Sequence, residues 1–158
     1  MPRENLDVLL EKFGRIMEVD LSLGTAGHTV VKVDERIDLA LSFEPDSQSL
    51  VLIATCGTLP HDHLLPLLQE ILDANFHWAG SGGATLATNS QQGKLYLQYR
   101  EPIQHMDERR LQELLTAIVH NATIWADRLE QGHWKEAESS HTAADPLAHF
   151  SSGPMVRI

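Results

Sequence analysis

Two hydrophobic periods alternate along this chain. Leu6, Leu9, Leu10, Phe13, Ile16 and Met17 recur at spacings of three and four, with Asp7, Glu11, Lys12 and Arg15 between them, which predicts an amphipathic helix. Gly24 and Gly27 break that pattern. A period of two follows, in HTVVKV (28–33), IDLALSF (37–43) and LVLIATC (50–56). In the second of these, Ile37, Leu39, Leu41 and Phe43 alternate with Asp38, Ala40 and Ser42, as in a sheet covered on one face. The turns between the three are short, so they predict an antiparallel meander. A second helix is expected from about His63 to Phe76, with Asp62 as its cap and Pro66 in or near its first turn. Its Leu64, Leu65, Leu67, Leu68, Ile71, Leu72 and Phe76 make an unusually wide apolar surface, so it should be covered on more than one side, a second subunit being a plausible cover. ATLAT (84–88) and KLYLQY (94–99) predict a hairpin after the flexible turn Gly80–Gly83. A third helix, from about Asp107 to Gln131, carries the stripe Leu111, Leu114, Leu115, Ile118, Val119, Ala122, Trp125 and Leu129. Asp107 and Glu108 sit at its positive end and Gly132 follows its last residue.

The order helix, three strands, helix, two strands, helix predicts an α+β sandwich in one domain, residues 1–131. Residues 132–158 have no period and are rich in Ser, Ala, His and Pro, so they are expected to form a flexible C-terminal tail. The chain carries 22 acidic residues against 12 Lys plus Arg, a formal charge of −10. That balance argues against nucleic acid, which needs a cationic face, and against anionic membrane surfaces. The acids concentrate in residues 1–79, which hold 13 acids and 5 bases against 9 and 7 in the remainder. Cys56 is the only cysteine, which removes an intramolecular disulfide and a thiolate cage and fits a reducing compartment. No apolar run approaches the ~18 residues of a membrane span. The N-terminal segment has acids and helical periodicity, unlike a signal peptide. A soluble, cytoplasmic protein without membrane insertion is expected.

Candidate chemistry is sparse. His61-Asp62-His63 could contribute metal ligands only with a third group elsewhere, and reads more simply as a polar helix start. Cys56 ends an apolar strand, where a buried structural thiol is the simpler reading than a nucleophile. Ser81 sits among glycines but in AGSGG, which is not a nucleophile elbow. Asp34, Glu35 and Asp38 are interleaved with Lys32 and Arg36, as in a solvated turn. No catalytic residue, metal site or cofactor is assigned, and a small acidic protein with excess apolar surface points to a binding module rather than an enzyme.

Several segments resemble one family, the class I type III secretion chaperones of the Tir chaperone group. Leu6-x-x-Leu9-Leu10-x-x-Phe13-Gly14 is similar to the first helix of that family, and Ile37-Asp38-Leu39-Ala40-Leu41 to its second strand. Leu67-Leu68-Gln69-Glu70-Ile71-Leu72-Asp73-Ala74-Asn75-Phe76 resembles its second helix, with the pattern LL…L..AN. Ala84-Thr85-Leu86-Ala87, Leu95-Tyr96-Leu97 and the stripe from Leu111 through Trp125 to Leu129 resemble its later hairpin and last helix. The resemblance spans residues 4–131. It implies a homodimer that binds the N-terminal region of a secreted effector, keeps it soluble and non-globular, and helps present it to the secretion ATPase. Candidate effector contacts are Leu6, Leu10, Phe13, Met17, Val31, Val33, Leu39 and Leu41, on the first helix and first meander. Candidate dimer contacts are Leu64, Leu67, Leu68, Ile71 and Leu72, joined by Leu95 and Leu97. Trp125 is expected in the core. The alternatives are a regulatory adaptor on the same fold, or a metal- or ligand-binding protein using His61, His63 and Cys56.

Overall fold

A computed structural model of the protein describes residues 3–132. The expected tail, 132–158, lies outside these residues except for Gly132. The described elements follow the order read from the sequence: helix α1 (Arg3–Met17), strands β1 (His28–Val33), β2 (Ile37–Glu44) and β3 (Ser49–Thr58), helix α2 (Leu64–Asn75), strands β4 (Thr85–Asn89) and β5 (Lys94–Pro102), and helix α3 (Glu108–Gln131).

The strands form one antiparallel sheet in the order β1-β2-β3-β5-β4, so the second hairpin extends the meander through β5. Register explains the period of two. Val31, Leu39, Ala54, Leu97 and Leu86 face one another in a row across all five strands, and all are buried. The neighbouring row, Val30, Ala40, Ile53, Gln98 and Thr85, points the other way, and Val30 is 62% exposed. Helix α3 packs on β3 and β5, α2 on β4, and α1 against α3. Together they close a single core holding Leu6, Leu10, Leu41, Leu52, Leu67, Leu95, Leu97 and Trp125. Trp125, fully buried as expected, donates its indole N–H to the Gly80 carbonyl at 3.1 Å, so that polar group is satisfied.

Helix ends are set by short-range chemistry. Asp107 caps α3, its carboxylate accepting the Arg110 N–H at 2.7 Å, and Gly132 ends the helix in the left-handed region. Helix α2 differs from expectation. Asp62 does not cap it; His63 stands at the N-cap with φ 59° and no side-chain bond. Helix α1 turns back sharply: Glu18 takes φ 56° and the Val19 N–H bonds to the Gly14 carbonyl at 3.0 Å, a Schellman closure. A Cβ on Gly14 would lie 2.5 Å from the Val19 oxygen, so only glycine admits this reversal.

The two sheet edges differ. At β4, Asn75 from the last turn of α2 acts as a surrogate strand: its Nδ2 donates to the Leu86 carbonyl at 3.0 Å and its Oδ1 accepts the Leu86 N–H at 2.8 Å. At β1 no described strand or side-chain amide pairs with the outer edge.

Candidate functional site

The turn at the end of α1 creates the site. It carries Val19 and Leu21 back beneath the helix, beside the inward face of β1 and β2. The result is a groove of about 500 Å³. Phe13 and Met17 of α1 form one wall, Val31, Val33 and Leu39 the floor, and Leu115 and Val119 of α3 the opposite wall. Met17 is 55% exposed and Phe13 and Val33 are half-buried, so large apolar side chains border open space. A surface of this kind, next to an unpaired strand edge, suits an extended apolar peptide: backbone bonds run along β1 and alternate side chains drop into the groove.

The candidate effector contacts divide between this groove and the core. Phe13, Met17, Val31, Val33 and Leu39 line the groove. Leu6, Leu10 and Leu41 are fully buried, because they are the positions of α1 and β2 that seat these elements on the sheet. Val19, Leu21, Leu115 and Val119 also line it and were not among the candidates. The width of the α3 stripe was the available signal: Leu114 with Leu115, and Ile118 with Val119, are adjacent pairs, wider than one contact line needs.

The candidate dimer contacts divide in the same way. Leu67, Ile71, Leu95 and Leu97 are buried within the protomer, α2 lying with Leu67 and Ile71 toward the sheet. They cannot also face a second subunit. Leu68 is half-buried, while Leu64 is partly exposed and Leu72 is 68% exposed. Leu65, Phe76 and Trp78 are exposed beside them. One side of α2 thus covers the sheet and the other presents a continuous apolar surface.

The structure does not gather the alternative site. Cys56 is buried, its thiol pushed up to about 12 by burial. A thiol held neutral in this way is neither a ready nucleophile nor a ready ligand. His61 and His63 are exposed, and among the described residues no group of three or more His, Cys, Asp and Glu could hold a metal ion. Ser81 is buried and donates to the Ala84 carbonyl, making a turn bond. Ion pairs elsewhere join elements. Arg36 in the β1–β2 turn contacts Asp127 at 2.7 Å and Glu130 at 3.0 Å on α3. Arg110 contacts Glu101 at 2.7 Å, a bond that raises the pKa of the guanidinium further and ties the start of α3 to β5. No described helix is long and apolar enough to cross a membrane.

Comparison with known proteins follows the same outline. A sequence profile of the Tir chaperone protein (CesT) family matches residues 8–126. No curated protein matches the chain. Among solved structures, a chain of the ExsC–ExsE complex superposes with a TM-score of 0.69 at 18% identity, covering 80% of this chain and 94% of its own. A chain of the HopA1–SchA chaperone–effector complex gives 0.64 at 19% identity, covering 80% and 98%. A chain of the heterodimeric ExoU–SpcU complex, from the type III secretion system of Pseudomonas aeruginosa, gives 0.61 at 17% identity, again covering 80% and 98%. At these identities the likeness establishes a shared α+β fold.

Proposed function

The chain belongs to the Tir chaperone protein (CesT) family, and from that premise we propose that it is a cytoplasmic, homodimeric chaperone for a type III secreted effector. It binds the N-terminal region of the effector, holds it extended and soluble, and helps present it to the secretion ATPase. One observation carries this reading: the groove between α1, the β1–β2 floor and α3, open to solvent and bordered by an unpaired strand edge. A client that wraps such surfaces loses conformational entropy on binding, which the burial of apolar side chains must offset. The chaperone–effector complex among the similar structures supports the same assignment.

Dimerisation follows from α2. Leu64, Leu65, Leu68, Leu72 and Phe76 make an apolar surface that water would otherwise wet. Covering it with the same surface of a second copy buries both, with Leu64, Leu68 and Leu72 as central contacts. The acidic remainder keeps the assembly soluble while its apolar surfaces are loaded.

The test is co-purification from the native host with mass spectrometry, together with light scattering. Twice the monomer mass, and capture of a secreted protein through its N-terminal segment, are the expected results. A strictly monomeric protein that captures no secreted protein removes the proposal.

A further inference from the structure

The groove does not end at its apolar walls. Val19 and Leu21 also line a second cavity, of about 490 Å³, formed with Glu11, Gly14 and Arg15 of α1 and with the turn that follows it. Its lining changes from apolar to acidic: Glu11, Glu18 and Asp20 stand there with Arg15 as the one cation. Arg15 is already engaged by Glu11 at 3.7 Å. Asp34 borders the groove itself, where Lys32 is held by Asp38 at 2.5 Å. The cations are therefore matched by neighbouring acids, while Glu18, Asp20 and Asp34 have no ion-pair partner among the described residues. Asp20 accepts only the Ser22 N–H, a bond within its own turn.

We propose that this groove and the acidic cavity adjoining it select an extended peptide in which large apolar residues are flanked by lysine or arginine, the apolar part lying over Phe13, Val33 and Val119 and the cations against Glu18, Asp20 and Asp34. This rests on the chaperone reading and adds the chemistry of the client segment. Charge complementarity names the occupant. A second copy of this chain would bring the same acidic rim and a formal charge of −10 to a site that already carries excess negative charge. A phosphorylated or acidic segment is repelled for the same reason. Because the acids are exposed, they act chiefly on encounter and on the choice among apolar segments, and the apolar contacts hold the complex.

Six fluorescein-labelled synthetic peptides, three compositions in two orders each, test this on the full-length protein. They share the apolar half Val-Ser-Leu-Ser-Phe-Ser and carry Arg-Arg, Gln-Gln or Glu-Glu, prepared with the charged pair at either end. Fluorescence anisotropy at 0.1 M salt is expected to rank Arg above Gln above Glu, with about tenfold between the first two. At 1 M salt, where the screening length falls from about 10 Å to about 3 Å, the ranking should collapse. The double variant Glu18→Gln/Asp34→Asn, whose amides suit the same left-handed turns, should bring the Arg peptide to the level of the Gln peptide and leave the latter unchanged. Equal affinity for the Arg and Glu peptides, or a gap that survives 1 M salt or the double variant, overturns the selectivity and leaves the chaperone reading standing. Failure of every peptide to bind removes the groove as a client site and this inference with it. Tighter peptide binding in Arg157→Glu would assign the groove to the chain's own last residues. Affinity that falls as protein concentration rises would assign it to a second copy; either result overturns the inference.

Discussion

Replacing Asn75 should cost more than its half-buried position at a helix end suggests. Its side-chain amide makes two bonds to the backbone of Leu86, at 3.0 and 2.8 Å, and Leu86 itself is 3% exposed. In Asn75→Ala both the N–H and the carbonyl of Leu86 lose their partners. An unsatisfied buried backbone group costs about 1–3 kcal/mol, and an edge position that water can partly reach belongs at the low end, about 1 kcal/mol each. Alanine is the better helix former and returns up to ~0.5 kcal/mol, leaving a net loss of about 1.5–2 kcal/mol. For a chain of this size that corresponds to a fall in Tm of roughly 5–8 °C. Asn75→Asp separates bonding from volume: the shape is kept, but a carboxylate cannot donate to the Leu86 carbonyl and is repelled by it, so a comparable loss is expected. Urea unfolding at fixed protein concentration measures the loss, and hydrogen exchange at the Leu86 amide localises it. Both variants unfolding within 0.5 kcal/mol of the parent, with the Leu86 amide still protected, would refute the reasoning.

Three further outcomes follow from single residues. Leu72→Asp places a charge at the centre of the exposed face of α2 and should yield a folded protein of monomer mass by light scattering; an undisturbed dimer sinks the assignment of that face. Gly57→Ala should destabilise by about 1–3 kcal/mol in thermal unfolding, because Gly57 has φ 152° and a Cβ there would meet Leu129 Cδ1 at 3.0 Å. A neutral result would mean that α3 shifts without cost. The Cys56 thiol, raised from 9.0 to about 12, stays neutral in the folded state while the unfolded thiol ionises, so stability is fully present below pH 9 and declines above it. The slope approaches 1.4 kcal/mol per pH unit between 9 and 12, and Cys56→Ala should flatten it; an unchanged slope would assign the alkaline loss to other groups.

The regular elements were legible because their periods are strong. Ile37, Leu39 and Leu41 alternate so cleanly that one covered face of β2 was expected from the sequence, though not whether core or client covers it, and the α3 stripe found Trp125 in the core. The site was only partly legible, for a physical reason. A side chain that lines a groove and one that fills a core are the same residue types at the same spacing, and only the neighbouring element distinguishes Phe13 from Leu10 on one helix face. Helix α2 shows the same limit. Its apolar residues Leu64, Leu65, Leu67, Leu68, Ile71 and Leu72 cover about half of the circumference opposite Gln69, Glu70 and Asp73, wider than one contact needs, so the period did not tell Leu67 and Ile71, which face the sheet, from Leu65 and Leu72, which do not. The left-handed turn at Glu18 lay beyond propensity, since glutamate is not a usual choice there, and the one at His63 was hidden because Asp62 offered the more ordinary helix cap. Asn75 was visible only as one letter of a family pattern, because its role depends on a strand that arrives later in the chain.

That one amide also sets a valence. A sheet with two open edges can recruit a strand on each side and so propagate without limit, the geometry of a fibril. Here the middle of β4 is already terminated by Asn75, so the sheet can accept an added strand on the β1 side alone. Such a chain can dock an extended segment, or pair once with a neighbour edge to edge, but its sheet cannot grow into a polymer. For the chaperone role proposed above, that single side chain would keep the protein from templating the aggregation of the segments it is proposed to hold in solution.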